Sequence, residues 1–170
     1  MRKYEVVNRK ELSRKQEKTL ASALGWEVVS GSGSRFLHPG DIKSNQWLGE
    51  CKTHITKYNR IKFIYSVWDK ILDEAVSVRK FPVLFVDDGS QKTSTTWCIT
   101  NQLPPKPYKI FTFPFNVNNS SFSFNHEDLI ELTRKSEREF GDMVIYVVKR
   151  KNKPDIYLYP FTSFLDCFGD

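Results

Sequence analysis

The sequence predicts a single α/β domain whose mixed sheet is flanked by helices. Stretches with helical apolar spacing alternate along the chain with strand-sized apolar runs. The runs Phe81 to Val86 and Met143 to Val148 have the length of buried strands and are far too short to span a bilayer. A chain of 170 residues, 39% hydrophobic and 14% aromatic, can bury one core without disulfides or a structural metal.

The first helix is expected over Arg9 to Leu24. Asn8 and Glu11 form a capping-box pattern, with Ser13 and Gln16 as an alternative start. Leu12, Leu20, Ala21 and Leu24 supply its apolar stripe, and Gly25 is a stop signal. Trp26 to Val29 reads as a short strand running into the tract Ser30-Gly31-Ser32-Gly33-Ser34. That tract is either a flexible loop or a place where backbone approaches a ligand closely. Asp41 to Lys43 and Trp47 to His54 read as strands joined by a turn-rich connection.

A second helix is expected over Asn59 to Arg79, from Ile61, Ile64, Tyr65, Trp68, Ile71, Leu72 and Ala75. Trp68 belongs to its buried stripe. Phe81 to Val86 suits the middle of a sheet covered on both faces, and Thr95 to Thr100 is another strand. Gln102 to Asn125, punctuated by Pro104, Pro105, Pro107 and Pro114, fits edge strands or an irregular extension. Asn125 opens a third helix that reaches Phe140 and stops at Gly141. Met143 to Lys149 and Ile156 to Tyr159 complete the chain as a hairpin. The domain therefore spans 1–170, with a core over about 9–100 and a C-terminal helix-and-hairpin extension over about 101–170.

Net charge is +6 and the pI is about 9.2, which favours a polyanionic partner. The basic clusters at Arg9 to Lys18, Lys52 to Lys62 and Lys149 to Lys153 are each equally compatible with a solvated face. The first residues carry charges with no apolar run behind them, so no secretory signal is expected. Three cysteines match no disulfide framework, and a reducing cytoplasm is the expected setting.

The chemistry concentrates in Pro39-Gly40-Asp41, eight intervening residues, then Glu50-Cys51-Lys52. Residues two apart on a strand share a face, so Glu50 and Lys52 project together while Cys51 faces away. If the Asp41 segment pairs beside that strand, Asp41 meets Glu50 across the ladder. Two adjoining buried carboxylates are strongly disfavoured unless a cation compensates them. Hard oxygen ligands suit Mg²⁺ or Mn²⁺, with Asp41, Glu50 and the Cys51 backbone carbonyl as ligands. Such an ion activates water for attack on a phosphodiester, and Lys52 positions that water or stabilises the pentavalent phosphate. An acid-any-lysine triplet is weak alone, and Asp41-Ile42-Lys43 is another. Glu17 shares the buried stripe of the first helix, where it is costly unless it pairs, ligates, or snorkels toward Arg14 or Lys18.

These residues resemble the PD-(D/E)XK nuclease superfamily, and within it the archaeal-type Holliday junction resolvases and similar phage resolvases. The likeness runs through Gln16-Glu17-Lys18, Gly25-Trp26-Glu27-Val28-Val29, the Ser30 to Ser34 tract, Pro39-Gly40-Asp41 and Glu50-Cys51-Lys52. It implies a restriction-endonuclease-like fold and a metal-dependent DNA endonuclease selective for DNA structure. It also implies a bacterial, archaeal or phage-infected host cell. In that family a helical glutamate assists the metal and a loop serine engages the scissile phosphate, while the aspartate and later acid bind metal and the lysine serves catalysis. Glu17, Ser32 (or Ser30 or Ser34), Asp41, Glu50 and Lys52 would take those roles.

Further DNA contacts are expected from Arg35 and His38 before the motif, and from Lys57, Arg60 and Lys62 at the start of the second helix. Cys51 and His54 have the spacing of half a zinc site, but no second half exists. His126, in the first turn of the third helix, is expected to be exposed. Phe111, Phe113, Phe115, Phe122 and Phe124 alternate like strand residues, so half could be buried and half could support the homodimer that paired cuts require.

Overall fold

The computed structural model describes residues 8–31, 38–54 and 60–169. In chain order the elements are α1 (Arg9–Leu24), β1 (Glu27–Val28), β2 (Ile42–Lys43), β3 (Trp47–Lys52), β4 (Arg60–Ile64), α2 (Tyr65–Ser77), β5 (Phe81–Val86) and β6 (Trp97–Thr100). They continue with β7 (Tyr108–Thr112), β8 (Ser121–Asn125), α3 (His126–Phe140), β9 (Met143–Val148), β10 (Ile156–Pro160) and α4 (Phe161–Phe168). Eight strands form one sheet in the order β1-β2-β3-β5-β6-β10-β9-β7. The β3–β5 and β7–β9 pairs are parallel and the others antiparallel, so the sheet is mixed. Because β10 pairs directly with β6, the C-terminal strands extend the same sheet.

Period-two side chains on the central strands divide the core into two layers. On one face Leu84, Val86 and Ile99 meet Trp68, Ile71 and Ala75 of α2 and Leu129 of α3. On the other, Val83, Phe85 and Cys98 meet Leu20, Ala21 and Leu24 of α1 and Phe161 and Phe164 of α4. Both faces of β5 are therefore covered, which explains its continuous apolar run. Asn8 and Asn125 cap α1 and α3 by accepting backbone N–H groups of Lys10 (α1), and of Glu127 and Asp128 (α3). Gly25 and Gly141 close the same helices.

The second helix starts at Tyr65 rather than Asn59. Residues 60–64 instead form β4, antiparallel to β8 through Ile61↔Phe124 and Phe63↔Phe122. Ile61, Ile64, Tyr65 and Trp68 satisfy a helical period, but Ile61 and Phe63 also alternate with Arg60 and Lys62. Pairing with an aromatic partner strand decides for the second pattern. The aromatic run completes this chain's own core: Phe113, Phe122 and Phe124 are buried, and Phe111 and Phe115 pack half-buried against them. His126 is buried rather than exposed, and its Nδ1 accepts the Trp97 indole N–H at 2.9 Å. The closing helix α4 adds to the expected elements, and Phe161, Phe164, Leu165 and Phe168 carry its helical spacing. Among the described residues no helix is long and apolar enough to cross a membrane.

Gly49 sits where β2, β3 and β5 pack most tightly. A Cβ there would stand 2.8 Å from the Phe85 ring and 2.9 Å from Ile42 Cγ1. Both neighbours are fully buried and cannot swing away. Gly49→Ala is therefore expected to cost roughly 1–3 kcal/mol, the range for overpacking a core. Urea denaturation reads this as a lower midpoint at unchanged slope, and an unaltered midpoint would show that the layers have slack.

Candidate functional site: an acidic cleft at the sheet edge

Asp41 is positioned by the pairing of β2 with β3. The register Ile42↔Gly49 and Lys43↔Leu48 places Asp41 opposite Glu50 at the next step. The Asp41 backbone N–H donates to Gly49 O at 2.8 Å, and its Oδ2 accepts the Cys51 N–H at 2.8 Å. The preceding turn requires Gly40, whose φ of +73° is paired with a Leu48 methyl 2.7 Å from where a Cβ would lie. Glu74, from α2, accepts the Gly40 N–H at 3.3 Å and so fixes the same turn from the other face of the sheet.

Glu50 and Lys52 project together from β3, as strand periodicity requires, and Cys51 turns into the α1/α4 core. Lys52 Nζ lies 2.5 Å from Glu50 Oε1. A second ammonium, Lys70 of α2, stands 3.7 Å from the same oxygen and 3.5 Å from Glu74 Oε1. From the opposite layer α1 contributes Gln16 and Glu17, both buried. Gln16 donates its amide to the Lys52 carbonyl at 3.0 Å, which docks α1 against the end of β3. Glu17, Asp41, Glu50, Lys52, Lys70 and Glu74 line one cleft of about 920 Å³.

Electrostatics in the cleft are dominated by desolvated carboxyls. Burial, and then the neighbouring Asp41, push Glu17 up to about 7, with Glu50 adding to the effect while Arg14 and Lys52 oppose it. Asp41 is raised by burial and by Glu50, against the Cys51 N–H and the two lysines. Burial pulls Lys52 down, but Glu50, through charge and hydrogen bond, and Asp41 hold it above the ordinary lysine value.

Glu17, Asp41, Glu50 and Lys52 thus share a cleft as the sequence predicts, and Ser30 and His38 lie on its wall with Cys51. Ser32, Ser34, Arg35 and Lys57 lie outside the described residues. Arg60 and Lys62 are not at a helix start. They are exposed on β4, Arg60 donates to Ser123, and neither lines the cleft. Lys70 and Glu74 escape sequence reasoning because their proximity to β3 is tertiary. The one local signal is their i,i+4 spacing beside the buried stripe of Trp68, Ile71 and Ala75.

Asp41, Glu50 and Glu17 offer hard oxygen donors, and burial together with mutual repulsion raises the proton affinity of Asp41 and Glu17, a penalty that a bound cation would offset. That chemistry fits Mg²⁺ or Mn²⁺. As the side chains sit, no three Asp, Glu, His or Cys groups among the described residues are gathered at metal-holding distance, and Lys52 rests on Glu50. No family profile, curated protein or solved structure matches this chain.

The raised carboxyls set the pH response of the metal-free protein. Folded Glu17 retains a proton that the unfolded chain releases, so the folded state binds more protons between about 4.5 and about 7. Stability therefore falls as pH rises through that window. Glu17→Gln removes this contribution, and each kcal/mol relieved raises Tm at pH 8 by roughly 2–4 °C for a chain of this size. Thermal melts in chelator from pH 4.5 to 8 should show a flatter curve for the variant. Parallel curves would mean that Glu17 is not penalised by its setting.

Proposed function

We propose that the chain is a metal-dependent DNA endonuclease of the PD-(D/E)XK type, hydrolysing phosphodiester bonds in branched DNA as a Holliday junction resolvase does. The observation that carries this reading is the convergence of Asp41, Glu50, Glu17 and Lys52 on one cleft at the edge of a mixed sheet. The restriction-endonuclease-like description of the fold belongs to the same proposal. It rests on the Asp41 and Glu50-Lys52 strands lying side by side, with β5 parallel to the second of them.

Asp41, Glu50, the Cys51 carbonyl and Glu17 would hold Mg²⁺ or Mn²⁺. When bound, such an ion acidifies water and offsets charge on the phosphorane. The remaining roles belong to the chain. Asp41 is held by the Cys51 N–H and by the Glu74–Gly40 contact, so its carboxyl needs no reorganisation before use. Lys52 stays protonated at neutral pH because Glu50 and Asp41 favour its charged form. It therefore acts as a fixed cation toward the phosphate oxygens and not as the base that takes the water's proton. Ser30 and His38 on the cleft wall are placed for the phosphate of the cut strand. Hydrolysis adds water across one P–O bond and leaves a phosphate and a hydroxyl end. Resolution by paired cuts calls for two such sites, hence a homodimer.

The Glu50–Lys52 contact of 2.5 Å favours a second reading, in which the cluster is compensated internally and the protein binds DNA without cutting it. Incubation with a four-way junction, a flap and a linear duplex, with and without Mg²⁺, separates the two. Metal-dependent cleavage is expected, preferentially at the branch. Asp41→Ala and Glu50→Ala should each lose more than about 100-fold in rate, since even loss of groups that merely support metal ligands costs 10–100-fold. Their DNA binding should persist. Cleavage by both variants at the wild-type rate would overturn the assignment, and failure of the wild type to cut in Mg²⁺ or Mn²⁺ would leave the second reading.

A further inference from the structure

α1 carries Arg9, Lys10, Arg14, Lys15 and Lys18 against two acids, Glu11 and Glu17. All five cations are exposed, and Glu17 is buried. This arrangement works against the helix itself. Arg9 and Lys10 occupy the first turn, where the helix dipole disfavours cations, and no basic residue occupies the last turn, where it favours them. Lys10, Arg14 and Lys18 follow one another at i,i+4 on one face, a spacing at which like charges repel. None of the five forms an ion pair with another described residue. The same three side chains line both the acidic cleft and an adjoining groove of about 600 Å³ that runs along the helix.

We propose that this face of α1 is the track on which the DNA phosphodiester backbone lies as it enters the cleft. The inference rests on the nuclease reading and deepens it, because it states how a polyanion is brought up to the four carboxyls of the cleft. From residue 9 to residue 18 the helix advances about 14 Å at 1.5 Å per residue. One strand of duplex DNA presents roughly four phosphates over that length, at about 3.4 Å of axis for each, which is enough for Lys10, Arg14, Lys15 and Lys18 to meet one apiece. The face is not built to insert into a membrane. An interfacial helix needs large apolar side chains beside its cations, but Leu20, Ala21 and Leu24 are buried in the protein core. Arg14 marks the inner end of the track, since it lines the cleft together with Glu17 and the groove along the helix as well.

The test replaces Lys10, Arg14, Lys15 and Lys18 together with alanine, a substitution that favours the helix. A control variant removes four exposed cations elsewhere, Arg134, Lys135, Arg138 and Lys151. Binding of both variants and the wild type to a fluorescent DNA duplex is measured by anisotropy across a salt series, with chelator present so that nothing is cut. The α1 variant should lower the log–log salt slope by roughly 3–4, at about 0.9 for each phosphate no longer neutralised. The control should lower it by less than about 1. Equal losses in the two variants, an unchanged slope for the α1 variant, or equal binding of polyglutamate by the wild type would each overturn the track. Cleavage with an unchanged slope removes the track and keeps the nuclease. DNA binding through α1 without cleavage keeps the track and removes the nuclease.

Discussion

The site depends on the register of β2 against β3, because strand side chains alternate and a slip by one residue exchanges the two faces. With Ile42 opposite Gly49, Glu50 and Lys52 face the cleft while Cys51 packs under α1. Shifted by one, β3 would drive a carboxylate and an ammonium into the apolar layer of Leu20, Leu24 and Phe85, at a cost of several kcal/mol for each charge left uncompensated. The register is enforced locally as well. The Asp41 carboxylate accepts the Cys51 N–H, Asp41 N–H binds Gly49 O, and Gly49 leaves no room for another residue at the crossing. The group that makes the site acidic is thus also one of the clamps that holds its strands together.

Two layers on opposite faces of the sheet supply the groups of the cleft, and this explains its location. Glu17 comes from α1 in one layer, while Lys70 and Glu74 come from α2 in the other. Side chains from both layers can meet only beyond the rim of the sheet, at the end of β3 where the ladder stops. The apolar contacts that position α1 and α2 lie further in, at Leu20 and Leu24 on one side and Trp68, Ile71 and Ala75 on the other. Stability is concentrated in the interior, and charge strain is confined to a margin that solvent reaches.

Local signals make much of this legible in the chain itself. Asn caps and Gly stops place α1 and α3, the two-residue period places Glu50 and Lys52 on one face, and the turn after Asp41 brings its strand alongside. Failures occur where two periods coincide or where a partner lies far along the chain. Residues 61, 64, 65 and 68 fit a helix as well as residues 61 and 63 fit a strand, and only β8, some sixty residues later, resolves the choice. His126 reads as exposed because nothing nearby in sequence reveals that Trp97 points its N–H at it. Lys70 and Glu74 belong to the same class, since their relation to Glu50 and Gly40 exists only after α2 packs on β3.

The carboxyls of the cleft are unequally compensated. Four carboxyls, Glu17, Asp41, Glu50 and Glu74, line the cleft with the ammonium groups of Lys52 and Lys70, and Arg9, Lys10, Arg14 and Lys18 of α1 line it as well. Lys52 and Lys70 both contact Glu50, and Lys70 also contacts Glu74, whereas Asp41 is eased by the Cys51 N–H and the charges of Lys52 and Lys70, and Glu17 by the charges of Arg14 and Lys52. Burial first, and neighbouring carboxyls second, hold Glu17 and Asp41 above their ordinary range, a penalty that an amide in either place would relieve. On the nuclease reading proposed above, acids in an open cleft and cations along the neighbouring helix would serve cationic and anionic guests that arrive together. A divalent ion would answer the carboxyls, and a phosphate backbone would answer α1.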